Sequence, residues 1–346
     1  MIARFKQRLP SAAGPFRGAL LDRAILWSAI LLVVSIAAFG TYYYLDQQGS
    51  ASPPTDQEIM QRQLSQYEQV VRDDPNNITN RLALGDTYYG LKRYSDAISQ
   101  YEAALVINDQ STLADVGLGQ AKLGAGDLAG ASESFQKVID QSQGADVAGE
   151  LLQSAHYYLG SIALDQQKPD EAIQQLTEAT TIEKSDSDAW YLMGTAYAQI
   201  GKLDDAVNAL TQAVLFVPNF TDAYQKLALV YDQKGASAEA LYARGMVAYS
   251  TGQLDEAATQ LQAAVNASPT LAQAYSGLGL VRESQGQPDA AMAAYQQALQ
   301  LKPDDFNATS CLARLNGSGS GASSGALPAN HPAVPTGGTN HQGVTP

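Results

Sequence analysis

Few side chains in this sequence could do chemistry, and each lacks the partners it would need. A general base or metal ligand requires a second group held at a fixed spacing. His156 has no Cys, Asp or Glu placed to complete a metal set. It falls at the register that Trp190 occupies 34 residues later, so it reads as a packing residue. His331 and His341 lie in a Gly/Ser/Pro-rich tail without fixed partners. Cys311 is the single cysteine, which excludes an intrachain disulfide and a cysteine metal cage. The carboxylate pairs Asp73-Asp74, Asp204-Asp205 and Asp304-Asp305 stand at helix starts and inter-repeat turns, where they cap helices and favour the dipole. Gly124-Ala125-Gly126 is a turn and not a phosphate cradle, because no strand precedes it and no Lys-Ser/Thr follows. The motifs at Asn77, Asn219, Asn266, Asn307 and Asn316 match the glycosylation pattern. Four of them fall at turns where Asn and Thr are expected anyway. The expectation is no catalytic set, no cofactor and no metal, hence not an enzyme.

The elements that could position a binding face are repeats. Ser187–Pro218 has Trp190, Met193-Gly194, Tyr197, Ala206, Leu210, Ala213 and Pro218. Gly194 and Ala206 are small because two antiparallel helices cross closely there. Trp190, Tyr197 and Leu210 fill the space between the pair and its neighbours, and Pro218 ends the second helix. One such hairpin cannot bury its apolar face alone, so copies must flank it. Upstream, Leu84-Gly85 with Ala97 and Tyr101 begins a series, and Leu118-Gly119 follows 34 residues later. Leu159-Gly160 comes 41 residues after Gly119, so seven residues are inserted around 141–149. Asp115 and Lys122 stand at the registers that Trp190 and Tyr197 fill in Ser187–Pro218. Residues 56–74 match a lone second helix that caps the array.

Downstream the period breaks. Gly245 follows Gly194 by 51 residues, one period and a half. The break reads as a seam. On that reading 56–234 is a first array closed by a polar cap helix, 221–234, and 238–315 is a second array with its own cap. The alternative is one continuous superhelix, with 235–250 serving as a second helix and Ala240 at its small position.

Residues 24–45 contain no charge. At about 1.5 Å per residue they span roughly 33 Å, enough to cross a hydrocarbon core. Trp27 and Tyr42–Tyr44 sit near the two ends, as interfacial aromatics do. Arg4, Lys6, Arg8, Arg17 and Arg23 lie only on the N-terminal side. The expectation is a single transmembrane signal-anchor with residues 1–23 cytoplasmic and the repeats outside, periplasmic or extracellular. A cleaved signal peptide is the alternative, with small residues near Ser35–Ala37 as the cut site. Residues 46–55, with Pro53-Pro54, form a spacer. Residues 316–346 have almost no large apolar side chains and read as disordered. Beyond residue 23 the chain has 16 basic against 34 acidic residues, a net charge of −18, which argues against nucleic-acid binding.

Over about residues 56–315 the chain resembles the tetratricopeptide-repeat superfamily, on the Gly/Ala registers quoted above. The resemblance implies an all-α fold: a right-handed superhelix, or α-solenoid of antiparallel helix pairs. Its first helices line a concave groove that binds a protein or peptide. Carried over by register, the groove positions are Asp86, Tyr89, Tyr157, Asp188, Tyr191, Thr195, Tyr242, Met246 and Tyr249. Leu82, Val116, Gln120, Ser161, Asp165, Ser276 and Leu280 accompany them. Groove aspartates favour a neutral or basic ligand. Some relatives clamp an acidic tail with groove Lys and Asn. Here those positions hold Leu82 and Asp86, against that use. The layout is similar to anchored scaffolds of bacterial envelope assembly. A docking subunit of an envelope enzyme and a self-assembling structural protein are the other readings. Oligomeric state is left open.

Overall fold

The computed structural model describes residues 56–143 and 147–318. The proposed anchor 24–45, residues 1–23, the spacer 46–55 and all but the start of the tail lie outside the described residues. Among the described residues there are fifteen helices and no strand, and no helix is long and apolar enough to cross a membrane. The described residues form two compact units, divided between Ala131 and Ser132.

In the first unit α1 (Asp56–Asp73) packs on α2 (Ile78–Gly90), followed by α3 (Tyr94–Ile107) and α4 (Thr112–Gly124). Leu64, Val71, Leu84, Tyr88, Ala97, Tyr101, Leu118 and Ala121 form its core. Helix α5 (Leu128–Ser142) contains the division between the units. The second unit continues with α6 (Gly149–Asp165), α7 (Pro169–Ile182), α8 (Ser187–Gln199), α9 (Leu203–Phe216) and α10 (Thr221–Gln233). It ends with α11 (Ser237–Ser250), α12 (Leu254–Ala267), α13 (Ala272–Ser284), α14 (Pro288–Leu301) and α15 (Phe306–Ser318). Helix α6 has 17 residues where α8 has 13, so part of the seven-residue insertion lengthens a helix.

Two turn types join the helices. Within a pair, the first helix ends on a residue with positive φ, a conformation that glycine adopts without steric penalty. Gly201, Gly235, Gly252 and Gly286 take this role at φ 71° to 78°. Lys92 and Gln167 take it without glycine, at φ 58° and 59°. Each such turn closes with the same backbone bond: Lys202 N–H to Tyr197 O at 3.0 Å, Ala236 to Tyr231 at 2.9 Å, Gln253 to Ala248 at 2.8 Å. Between pairs, α2, α4, α8 and α15 start from a side-chain cap, whereas α6, α10 and α13 start at Ala148, Phe220 and Leu271 without one. Asn77, Ser111, Asp186 and Asp305 accept the backbone N–H three residues on.

Small-against-large packing locks the pairs. A Cβ added to Gly194 would lie 2.6 Å from Leu210 Cγ, and one on Gly245 would lie 2.6 Å from Leu261 Cγ. Gly85 faces Tyr101 and Gly160 faces Leu176 in the same way. The partner always stands sixteen residues later. Leu176, Leu210 and Leu261 are wholly buried.

The period break at 221–250 lies inside the second unit. Gly235 and Gly252 both make the within-pair turn, 17 residues apart. Helix α11 is therefore the second helix to α10 and the first helix to α12. Ala240, at the small position of a second helix, is fully buried, and Gly245, at the small position of a first helix, faces Leu261. One buried cluster runs from Ala206 to Val281 across this region. The expected polar cap at 221–234 is corrected: Tyr224, Leu227 and Val230 of α10 are 4%, 2% and 1% exposed, because α11 covers them.

Candidate functional site

In the first unit, α2 carries Asp86 and Tyr89. Tyr101 Oη donates to Asp86 Oδ1 at 2.6 Å. The residue is exposed overall, yet protein crowds its carboxylate, and that desolvation raises its pKa against the lowering pull of the Tyr101 bond. The Tyr89 ring lies 5.8 Å from Tyr94 at 58°. Val116 is buried in α4 and Gln120 half-buried. A shallow hollow between α1 and α2 is bordered by Gln63, Tyr67, Ala83, Asp86, Thr87 and Gly90.

In the second unit the predicted residues fall on two separate rows. The first row is α6, α8 and α10, in which α6 touches α8 and α8 touches α10. Asp165, Asp188 and Asp222 are exposed on it, and Tyr157, Tyr191 and Thr195 are half-buried. Burial comes first in raising the Tyr157 phenol, and the negative charge of Asp188 and Asp186 adds to it. Tyr191 is raised by burial and then by Asp222. The Thr195 hydroxyl lies near enough to ease Tyr191 ionisation, although it makes no well-formed hydrogen bond. Gln153 Nε2 donates to Asp186 Oδ2, while Asp186 Oδ1 caps α8 through Ala189 N–H at 2.9 Å. Burial raises the Asp186 pKa despite that cap. Phe220 tilts against Tyr191 at 5.2 Å between centroids. The row therefore presents a negative, aromatic face.

The second row is α11, α13 and α15, in which α11 touches α13 and α13 touches α15. Its predicted residues are mostly spent on packing. Met246 is corrected: it is 3% exposed, and its sulfur occupies space that the missing side chain of Gly277 leaves. Tyr242 meets Tyr224 edge-on at 6.2 Å and 84°. Part of the residue stays exposed, but burial pushes its phenol well above the ordinary tyrosine value, and Tyr224 is itself pushed up to about 12. Ser276 Oγ donates to Asp305 Oδ2 at 2.8 Å. Tyr249 and Leu280 are half-buried.

Reading by register missed Leu229. It follows Ala228 of α10 as Thr195 follows Gly194 of α8, and it is 57% exposed beside the acidic row. The signal was its matching register, hidden when 221–234 was read as a cap. His156 is buried, with Nδ1 2.7 Å from Gln175 Oε1, and Cys311 is half-buried against Tyr295. Among the described residues no cluster of His, Cys, Asp or Glu could hold a metal ion.

A tetratricopeptide-repeat family profile matches residues 64–112, 116–189 and 242–306, more than half of the chain, and a second profile of the same description matches 163–228. No curated protein matches the sequence. Among solved structures, the chain is similar to the C-terminal part of a TPR repeat-containing protein from Cytophaga hutchinsonii. That match has 15% identity, covers 73% of this chain and 94% of the other, and has a TM-score of 0.48. It is similar to YrrB, described as a TPR protein with an unusual peptide-binding site, at 16% identity, 70% and 96% coverage and TM-score 0.33. A third likeness is to the APC/C Cut9–Hcn1 hetero-tetramer, at 16% identity and TM-score 0.41. It covers 74% of this chain and 46% of that one, so the chain spans less than half the length of that relative.

Proposed function

Because the chain belongs to the tetratricopeptide-repeat family, we propose that it is a membrane-anchored scaffold that grips a basic segment of a partner protein. The grip lies on the row formed by α6, α8 and α10, and the chain itself catalyses nothing. The observation that carries this reading is the chemistry of that row. Its outward positions hold Asp188 close to the Tyr157 phenol and Asp222 close to the Tyr191 phenol, with Asp165 exposed on α6 and Leu229 exposed on α10. Such a face suits a lysine or arginine whose stem lies on the tyrosine rings and whose charge meets the carboxylates. Leu229 offers an apolar contact beside the charge.

The uncharged run 24–45, with basic residues on its N-terminal side alone, supports an anchor that places the repeats outside the cytoplasm. A bacterial envelope assembly is the setting proposed for the partner. Two measurements test this. Full-length chain in membranes, crosslinked and analysed by mass spectrometry, should capture a partner through a basic segment. Asp188→Lys combined with Asp222→Lys should lower that capture by about tenfold or more, the scale of losing 1.4 kcal/mol. Undiminished capture would remove the face from consideration. For the anchor, the full chain should stay with membranes through an alkaline wash, with the repeats open to protease from outside. Release into the wash would refute it.

A further inference from the structure

The two rows of the second unit do not form one groove. Helices joined by short turns fill two rows alternately, so α6, α8 and α10 share one row, while α7 and α9 share the other with α11. Where such a double layer curves, neighbours in the inner row approach and those in the outer row separate. The approaching neighbours are α6 with α8 and α8 with α10, then α11 with α13 and α13 with α15. Helices α9 and α11 make no such approach, nor do α10 and α12. The inner row thus changes sides at α11. The cause is the pair of within-pair turns at Gly235 and Gly252, which make α11 second helix to α10 and first helix to α12.

We infer that a basic segment bound to the acidic row is confined to α6, α8 and α10 and ends at Leu229, because the curvature reverses and the inner face of α11, α13 and α15 opens on the opposite side of the double layer. This deepens the proposed function and rests on it. The two faces also differ in chemistry. The first exposes Asp165, Asp188 and Asp222. On the second, Tyr242 and Met246 are packed inward, Ser276 is tied to Asp305, and Glu283 is paired with Arg314. A row of three helices about 10 Å apart leaves room for roughly six to nine extended residues.

Site-specific photo-crosslinking on the full-length chain tests this. Benzoylphenylalanine replaces Leu229 in one variant and Leu280 in another. The probe is a fluorescein-labelled peptide of alternating Lys and Ser, about 16 residues and so roughly 50 Å long when extended, enough to continue past α10. The expected result is an adduct at position 229 and only the unirradiated background at position 280. Adducts at both positions would overturn the reversal and leave the acidic face standing. Absence of an adduct at 229 would overturn the acidic face itself, and this inference with it. Deleting residues 235–251 removes one turn and one helix and restores the 34-residue spacing. In that variant position 280 should gain an adduct, and continued silence there, with 229 still labelled, would also count against the reversal.

Discussion

Two neighbouring hairpins of the second unit share a register and differ in how they are locked. In α8–α9, Gly194 receives Leu210, which stands sixteen residues later and is wholly buried. In α10–α11 the same two registers hold Ala228 and Arg244. Ala228 is buried, but Arg244 points outward and pairs with Asp232 of α10. The large wedge is missing because α11 directs its packing the other way, where Gly245 receives Leu261. A helix can take part in two pairs only if it gives up the wedge of one of them. That exchange is what a half-period insertion requires if no apolar surface is to be left open.

The largest effects that sharpen this comparison come from the wedges. Leu210→Ala and Leu261→Ala should each cost about 2–5 kcal/mol, since each leaves a cavity in a closed core. Chemical denaturation would measure both, and a near-neutral Leu261→Ala would deny α11 its role as a first helix. Next come the small positions. Gly194→Ala and Gly245→Ala should each cost about 1–3 kcal/mol, because the added methyl meets leucine at 2.6 Å and backbone at 3.2 Å. Alanine accepted at either site without loss of stability would break the scheme.

Asp186 comes third. Asp186→Ala should cost about 1 kcal/mol through the lost cap of α8. Asp186→Asn keeps the cap and behaves differently with pH. Burial raises the folded pKa above the ordinary aspartate value of 3.8, so the stability that this carboxyl contributes is present below that value and is lost as pH rises through the folded pKa. Relative to wild type, Asp186→Asn should therefore look better at pH 7 than at pH 3.5, as denaturation at the two values would show. The reverse order would mean that the cap bond outweighs desolvation. The smallest effect is that of Arg244→Ala. It should cost about 1 kcal/mol or less, being an exposed ion pair, although it occupies the register where Leu210→Ala is severe.

Much of the fold was legible because the pattern rests on steric necessities. Small residues mark helix crossings, and glycine or proline marks the turns. The 17-residue excess was also visible. Its outcome was not, because α11 satisfies both templates at once: Ala240 suits a second helix and Gly245 suits a first helix. Register alone cannot show that a helix is used twice. The candidate face was legible where inner positions stayed open, as at Asp188 and Tyr191. It failed at Met246 because burial there depends on Gly277, a residue of another pair that leaves room for the sulfur. It failed at Leu229 because the polar residues of 221–234 resemble a solvent-facing cap, while α11 in fact covers that helix.

The double use of α11 also bears on how the protein comes apart. Repeat arrays melt in pieces when the weakest junction between units gives way. Here the junction is itself a helix that belongs to both sides, and a single buried cluster from Ala206 to Val281 encloses it. Losing α11 would strip the cover from α10 and α12 together. No partly melted form can keep one side and discard the other at this point. Amide exchange should find 203–284 opening in one cooperative step, with the weaker protection lying toward the ends of the unit.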